Sequence, residues 1–275
     1  MRFLNLHGCL PTNYLFELEN EKSEAERRAA QAQLKRLWLA GFVYRPRQQR
    51  ATDNANYHQY VYDLTEKGRA YLKENELWVE SVRPTGNWVH QLFVSCVTAT
   101  VDIMCQREGY RYMPPHEYLD ARPLSTPVPF RWEGTERTLP LAPDAVFAIG
   151  YDEKSFIAFA LEADRNTEPN RSRNWSRKSD LRTIRQYGAF IGQKLYRQAY
   201  KREAHMVLLY ITVSKGHARE FAKMVEEELK SPAYVAVGVV PEFETPFKPP
   251  VLLKHLFEGP LQRAGREPFT IKKTA

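Results

Sequence analysis

The stretch Pro143–Asp164, PDAVFAIGYDEKSFIAFALEAD, decides how the chain is read, because Asp144, Glu162 and Asp164 stand at the ends of two apolar runs. Ala145 to Ile149 and Phe156 to Leu161 are short, apolar and partly β-branched or aromatic, and the polar GYDEKS lies between them, so the stretch reads as a strand hairpin. A turn near Glu153 sets Asp144 roughly opposite Glu162. The two-residue period of a strand then brings Asp164 to the same face as Glu162. Gathered like charges are unfavourable unless a proton or cation neutralises them, so the three acids are the expected ligands of Mg²⁺ or Mn²⁺. Taken singly, a strand-end acid is better read as solvated or paired with Arg165. The combination is what points to a metal.

The surroundings extend this pattern. From Arg165 to Arg202 there are eleven Lys or Arg residues and only Glu168 and Asp180 as acids, more positive charge than the +7 of the whole chain. Phosphate binding uses such a concentration directly, and Arg171, Arg173, Arg177, Arg182 and Arg185 are the candidate DNA contacts; a solvated basic helix face is the other reading. A helix is expected from about Ser176 to Tyr200, capped by Ser176 or Asn174, with Lys178 in its first turn. Upstream, WVHQLFVSCVTATVDIMCQREG reads as a long apolar helix, and VPFRW and RTLPL as a short hairpin. Downstream, HMVLLYITVS is a strand covered on both faces, AREFAKMVEEELK an amphipathic helix and AYVAVGVV a further strand. This order fits a mixed α/β (α+β) domain over residues 87–240. The remainder, 241–275, is proline-rich and reads as loop-like or extended.

Residues 1–86 form a different unit. Two short apolar segments lead to EAERRAAQAQLKRLWLAGF, a helix with Ala30, Leu34, Leu37 and Trp38 on one face and Gly41 as its stop. Its other face carries Arg27, Arg28, Lys35 and Arg36. FVYRP and HQYVYDLT read as strands around RQQRATDNAN, and TEKGRAYLKE as a helix beginning at Thr65. This is the order of a winged helix-turn-helix, whose third helix can enter a DNA major groove and whose wing, with Arg45, Arg47 and Arg50, can touch phosphate. Protein-binding modules use the same order, and thirteen basic residues against eleven acidic ones make a weak electrostatic footprint. Pro84 and Gly86 mark the expected boundary.

Composition sets the outer limits. With 43% hydrophobic and 27% charged residues, the 275-residue chain has the make-up of an ordinary folded protein. Cys9, Cys96 and Cys105 lack the paired spacing of a zinc site or a disulfide framework and read as buried thiols. No run of about 20 apolar residues is apparent and the amino terminus lacks a signal-peptide pattern, so a cytoplasmic location and no membrane partner are expected. His90 reads as a structural residue.

The order helix, hairpin with Asp, strand with Glu-x-Asp, helix, strand resembles the PD-(D/E)XK nuclease core, and its first signature is present as Pro143-Asp144. More narrowly, a winged helix followed by PDAVFAIG…FALEADRNTEPNR and a helix containing IRQY resembles the replication-relaxation family, which is related to mobilisation relaxases. The resemblance covers most of residues 1–240, and LEADRNTEP is its most specific motif. It implies that Asp144 and Glu162 hold a divalent cation, with Asp164 as a further acid. The nuclease signature has Lys two residues after Glu, where this chain has Asp164; Lys178 is the candidate to replace it in space.

Together these readings lead to a protein that binds double-stranded DNA and cleaves or nicks it with a divalent metal, in plasmid or phage replication or mobilisation, with replication or mobilisation proteins as partners. Asp144, Glu162, Asp164 and Lys178 are its expected catalytic residues. A tyrosine nucleophile is a second route, since fifteen tyrosines are present and spacing singles out none. The alternative is a noncatalytic DNA-binding replication accessory on a nuclease-like fold; a protein adaptor leaves the basic segment unexplained. Oligomeric state is not legible.

Overall fold

The amino-terminal apolar segments fold as α1 (Arg2–His7), β1 (Leu10–Pro11) and α2 (Thr12–Leu18), and the Ala-rich run after them as α3 (Glu24–Leu39). The computed structural model describes residues 1–19, 23–50, 59–153, 155–230, 232–244 and 251–273, with Arg50 described in its backbone alone. A reciprocal capping box starts α3: Ser23 Oγ accepts the Glu26 N–H at 3.2 Å, and the Glu26 carboxylate accepts the Ser23 N–H at 2.7 Å. Its stop is the expected Gly41, at φ +77°, a conformation that disfavours a side chain.

β2 (Val43–Tyr44) and β3 (Val61–Leu64) follow, and β3 lies between β1 and β2 in an antiparallel three-stranded sheet. Most of the expected wing, 51–58, and the Arg50 side chain lie outside the described residues. Thr65 caps α4 (Glu66–Glu74), accepting the Gly68 N–H at 3.0 Å. α5 (Trp88–Glu108) starts at Asn87, ends at left-handed Gly109, and is buried from Leu92 to Cys105. By length and composition α5 could cross a membrane, contrary to the sequence reading; its burial makes it a core helix instead.

The unit boundary differs from the sequence reading. The first compact unit comprises residues 1–109 with 251–254, so it divides from the second after Gly109 rather than near Gly86. The reason is the packing of α5. His7 on α1 bonds Thr98 at 3.1 Å and Asp102 at 3.0 Å, and Tyr14 on α2 reaches Thr100 at 3.3 Å, so the helix completes the amino-terminal core.

The second unit begins with β4 (Arg111–Met113), α6 (Pro115–Leu119), β5 (Thr126–Trp132), β6 (Thr135–Leu141), β7 (Ala145–Gly150) and β8 (Phe156–Asp164). It continues with α7 (Asp180–Phe190), α8 (Leu195–Tyr200), β9 (His205–Thr212), α9 (Lys215–Glu228), β10 (Val235–Val239) and α10 (Lys254–Glu258). The fold is mixed α+β. Its main sheet has the order β10-β9-β8-β7-β4; β8, β9 and β10 run parallel, and β7 is antiparallel to both neighbours.

The β5–β6 pair forms its own two-stranded sheet, where Phe130 and Trp132 pack with Leu181 of α7. Two expectations change here. The single helix of 176–200 is divided into α7 and α8, with Lys194 in the left-handed region between them. The tail is partly ordered onto the sheet, with Gln262 bridged to Val237 and Leu261 to Phe269.

Parallel strands need crossovers, so α7 follows the carboxyl end of β8 and α9 that of β9. The first turns of both helices and the end of the Glu-Ala-Asp strand therefore gather at one edge, where open α/β sheets place ligands.

Candidate functional site

The hairpin has the register its sequence suggests. Ala145 pairs with Leu161, which places Asp144 opposite Glu162, and the Asp144 carboxylate accepts the Ala163 N–H at 2.8 Å. Asp144 is half-buried, whereas Glu162 is 3% exposed. Glu162 has two partners from elsewhere in the unit: the Tyr187 hydroxyl donates to Oε1 at 2.8 Å, and Lys178 Nζ donates to Oε2 at 3.2 Å. Lys178 also pairs with Glu168 at 2.9 Å. Burial and the nearby Asp144 charge push the Glu162 carboxyl up to about 7, against the pull of Lys178 and the Tyr187 hydrogen bond. Burial opposes the Lys178 charge, but Glu162, Glu168 and Asp144 together raise its pKa.

Lys178 reaches the acid by a route the sequence did not show. The cap of α7 is Ser179, which accepts the Arg182 N–H at 3.3 Å, so Lys178 precedes the helix rather than occupying its first turn. Ser176 and Asn174 belong to the loop before it, bonded to each other at 2.7 Å.

Asp164 turns to a different set of partners. His217 Nε2 is 3.0 Å from its Oδ2 and 3.2 Å from Asp180 Oδ2. The Tyr210 hydroxyl lies 3.2 Å from Asp164 Oδ2, 2.9 Å from Asp180 Oδ1 and 2.9 Å from His217 Nε2. Burial acts to raise Asp164, but hydrogen bonds from His217, Thr167 and Tyr210 lower it overall; burial raises Asp180. Pairing with both acids lifts His217 to about 10.

Among the described residues, the group whose ligand atoms all lie within 4.8 Å is Asp164, Asp180 and His217, and not the expected trio of Asp144, Glu162 and Asp164. The oxygen-only pair Asp144 and Glu162 still suits a hard cation such as Mg²⁺ or Mn²⁺. Tyr187 and Lys178 occupy about two of the four acceptor sites of the Glu162 carboxylate.

The basic residues separate by use. Arg171 pairs with Glu227 at 2.9 Å, Arg185 with Glu228 at 2.8 Å while lying over Trp132, and Arg182 donates to the Ser176 carbonyl at 2.6 Å. Arg173 and Arg177 are exposed, with no ion pair among the described residues. In the first unit Arg27 faces Glu17 at 3.6 Å and Arg28 faces Glu24 at 2.7 Å. Lys35, Arg36 and Arg47 are exposed. Arg45 is enclosed: its guanidinium stacks on Tyr60 at 3.7 Å and Trp38 at 4.2 Å and donates to the Tyr62 hydroxyl at 2.8 Å. Trp38 thus holds a cation at the surface rather than packing in the core.

Sequence reasoning missed Asp180, Tyr210 and His217 as site residues, and it named Tyr187 only within IRQY. Serine caps were the available signal, since Ser179 precedes Asp180 and Ser214 accepts the His217 N–H at 3.1 Å.

No curated protein and no solved structure matches the chain. The family model described as replication-relaxation matches residues 1–203, which take in residues 1–109 of the first unit, the acid-bearing hairpin, Lys178 and Tyr187. The chain belongs to the replication-relaxation family.

Proposed function

We propose that the chain binds double-stranded DNA and cuts one strand by divalent-metal-dependent phosphodiester hydrolysis, in replication or mobilisation and alongside proteins of those processes. The observation that carries this reading is the contact of Lys178 with Glu162, beside Asp144: a cation from outside the strand meets the acid pair, in place of the lysine that Asp164 displaces from the nuclease signature. The second unit is then read as a PD-(D/E)XK-like nuclease domain. Asp144 and Glu162 would hold Mg²⁺ or Mn²⁺, with Asp164 supporting the strand end through Tyr210 and His217. When bound, the cation lowers the pKa of a coordinated water and neutralises charge on the phosphate.

The chain's own groups do the remaining work. The Lys178 side chain is 45% exposed, so its ammonium can turn from Glu168 to a scissile phosphate and oppose developing charge there. Tyr187 holds Glu162 Oε1 in one orientation. Exposed Arg173 and Arg177 supply contacts to backbone phosphate. The order α1, β1, α2, α3, β2, β3 supports reading the first unit as a winged helix, with α3 as the groove helix.

Incubation of supercoiled plasmid with the protein and Mg²⁺ or Mn²⁺ tests the proposal. Nicked or linear product that disappears with EDTA is the expected outcome; intact plasmid under every metal would overturn it. The double pairing of Lys178 with Glu162 and Glu168 favours a second reading, in which an internal cation occupies the acids and the chain is a noncatalytic DNA-binding accessory. DNA binding without cleavage would support that reading.

A further inference from the structure

We propose that Asp164, Asp180 and His217 form a binding site for a transition-metal dication of the Zn²⁺ class, separate from the Asp144–Glu162 pair. The ligands come from three elements: the last residue of β8, the first of α7 and the first turn of α9. Nε2 stands 3.0 and 3.2 Å from the two carboxylate oxygens. Ligands about 2.0–2.1 Å from a tetrahedral zinc lie roughly 3.3 Å apart, so the two spacings from Nε2 need little change, and the two carboxylate oxygens lie within 4.8 Å of each other.

Hydrogen bonding alone leaves this cluster incomplete. Nε2 carries at most one proton, yet it faces Asp164 Oδ2, Asp180 Oδ2 and the Tyr210 oxygen, the last at 2.9 Å. Tyr210 likewise has one proton for two carboxylates. The shortage falls on Asp180 Oδ2, which accepts no well-aligned hydrogen bond although His217 Nε2 stands 3.2 Å away and its residue is only 2% exposed. A buried acceptor that shares a single proton with a second carboxylate and a hydroxyl is costly, and a cation supplies what that proton does not.

Charge gives the same answer. Two carboxylates and an imidazolium carry one net negative charge, with Arg165 near Asp164; two carboxylates, a neutral imidazole and a dication carry none. The mixed oxygen and nitrogen set suits Zn²⁺ better than Mg²⁺. Tyr210, at 2.9 Å from Asp180 Oδ1, then orients a ligand from outside the coordination sphere. The metal would tie the first turns of α7 and α9 to the end of β8.

Titration of the chelator-stripped full chain with Co²⁺, as a spectroscopic stand-in for Zn²⁺, tests the site. One equivalent should give a visible d–d band that is lost in His217→Gln and Asp180→Asn, both checked for folding by circular dichroism. The band should persist in the Asp144→Asn, Glu162→Gln double variant, which separates this site from the proposed cleavage site. The unsubstituted protein gives a reading that does not depend on variants folding: histidine ring protons should shift outside the diamagnetic range in its Co²⁺ form. Absence of both the band and the shifted protons would overturn the proposal, as would a band that survives His217→Gln but not the double variant.

Discussion

Glu162 and Asp164 stand two residues apart on one strand, and they resolve the problem of a buried acid differently. Glu162 meets a half-exposed lysine from a loop and a tyrosine, and its carboxyl is pushed up to about 7. Asp164 meets a histidine and a tyrosine fixed on secondary structure, and its carboxyl is lowered. An acid balanced by a movable cation can release it to a substrate; one locked among buried partners mainly holds the fold. On the proposed function, Glu162 belongs to the reactive end of the site and Asp164 to a structural one.

The largest effect expected is on cleavage. Asp144→Asn should lower metal-dependent nicking by about 10²-fold or more while leaving duplex binding intact, the scale of losing a group that stabilises the transition state. Plasmid nicking beside a binding assay measures both. Equal loss of binding and cleavage would move Asp144 out of the reactive end.

Next is the structural end. His217→Ala removes the shared partner of two buried acids and should cost about 3 kcal/mol in chemical denaturation, because it leaves buried charge unpaired. Change within error would mean that Asp164 and Asp180 need no counter-charge.

The pH dependence sharpens this claim. His217 rises from 6.5 to about 10, so its contribution in metal-free protein is fully present below pH 6.5 and lost as pH rises through about 10. Alkaline denaturation of parent and His217→Ala should converge there. Glu162 runs in the same direction in a lower window: its raised carboxyl makes folding less favourable as pH climbs from 4.5 towards 7, and cleavage should rise as pH passes through about 7 and it ionises.

A smaller effect is expected for Lys178→Met, about tenfold in turnover at saturating DNA, with the rising limb of the pH–rate profile moved to higher pH because Glu162 loses its cation. Parental turnover would remove Lys178 from the mechanism. The smallest concerns exposed Arg47, where Arg47→Ala should reduce the salt slope of duplex binding by about one unit.

The hairpin was legible because a short polar turn between apolar runs leaves little freedom of register, and Asp144 faces Glu162 as read. Lys178 was legible as a nearby cation although its helix begins later than expected, since it directly precedes the Ser179 cap of the helix that starts at the carboxyl end of β8. Asp180 and His217 were not legible. Serine caps mark each helix start, but their meeting depends on two crossovers that local sequence does not show. Pro84 and Gly86 precede α5 at the surface, and the first compact unit runs past them because the buried length of α5 packs with α1 and α2. The arginines were legible as charge but not as function, because Arg171 and Arg185 are paired to acids on α9.

The most direct test of the central claim is the single-turnover cleavage rate of the parent chain against Glu162→Gln, with supercoiled plasmid and Mn²⁺ at pH 8. EDTA-sensitive nicking is expected of the parent, and none above background of Glu162→Gln at equal DNA occupancy. Nicking by the variant at the parental rate would contradict that claim and take the cleavage site away from the Glu162–Lys178 pair.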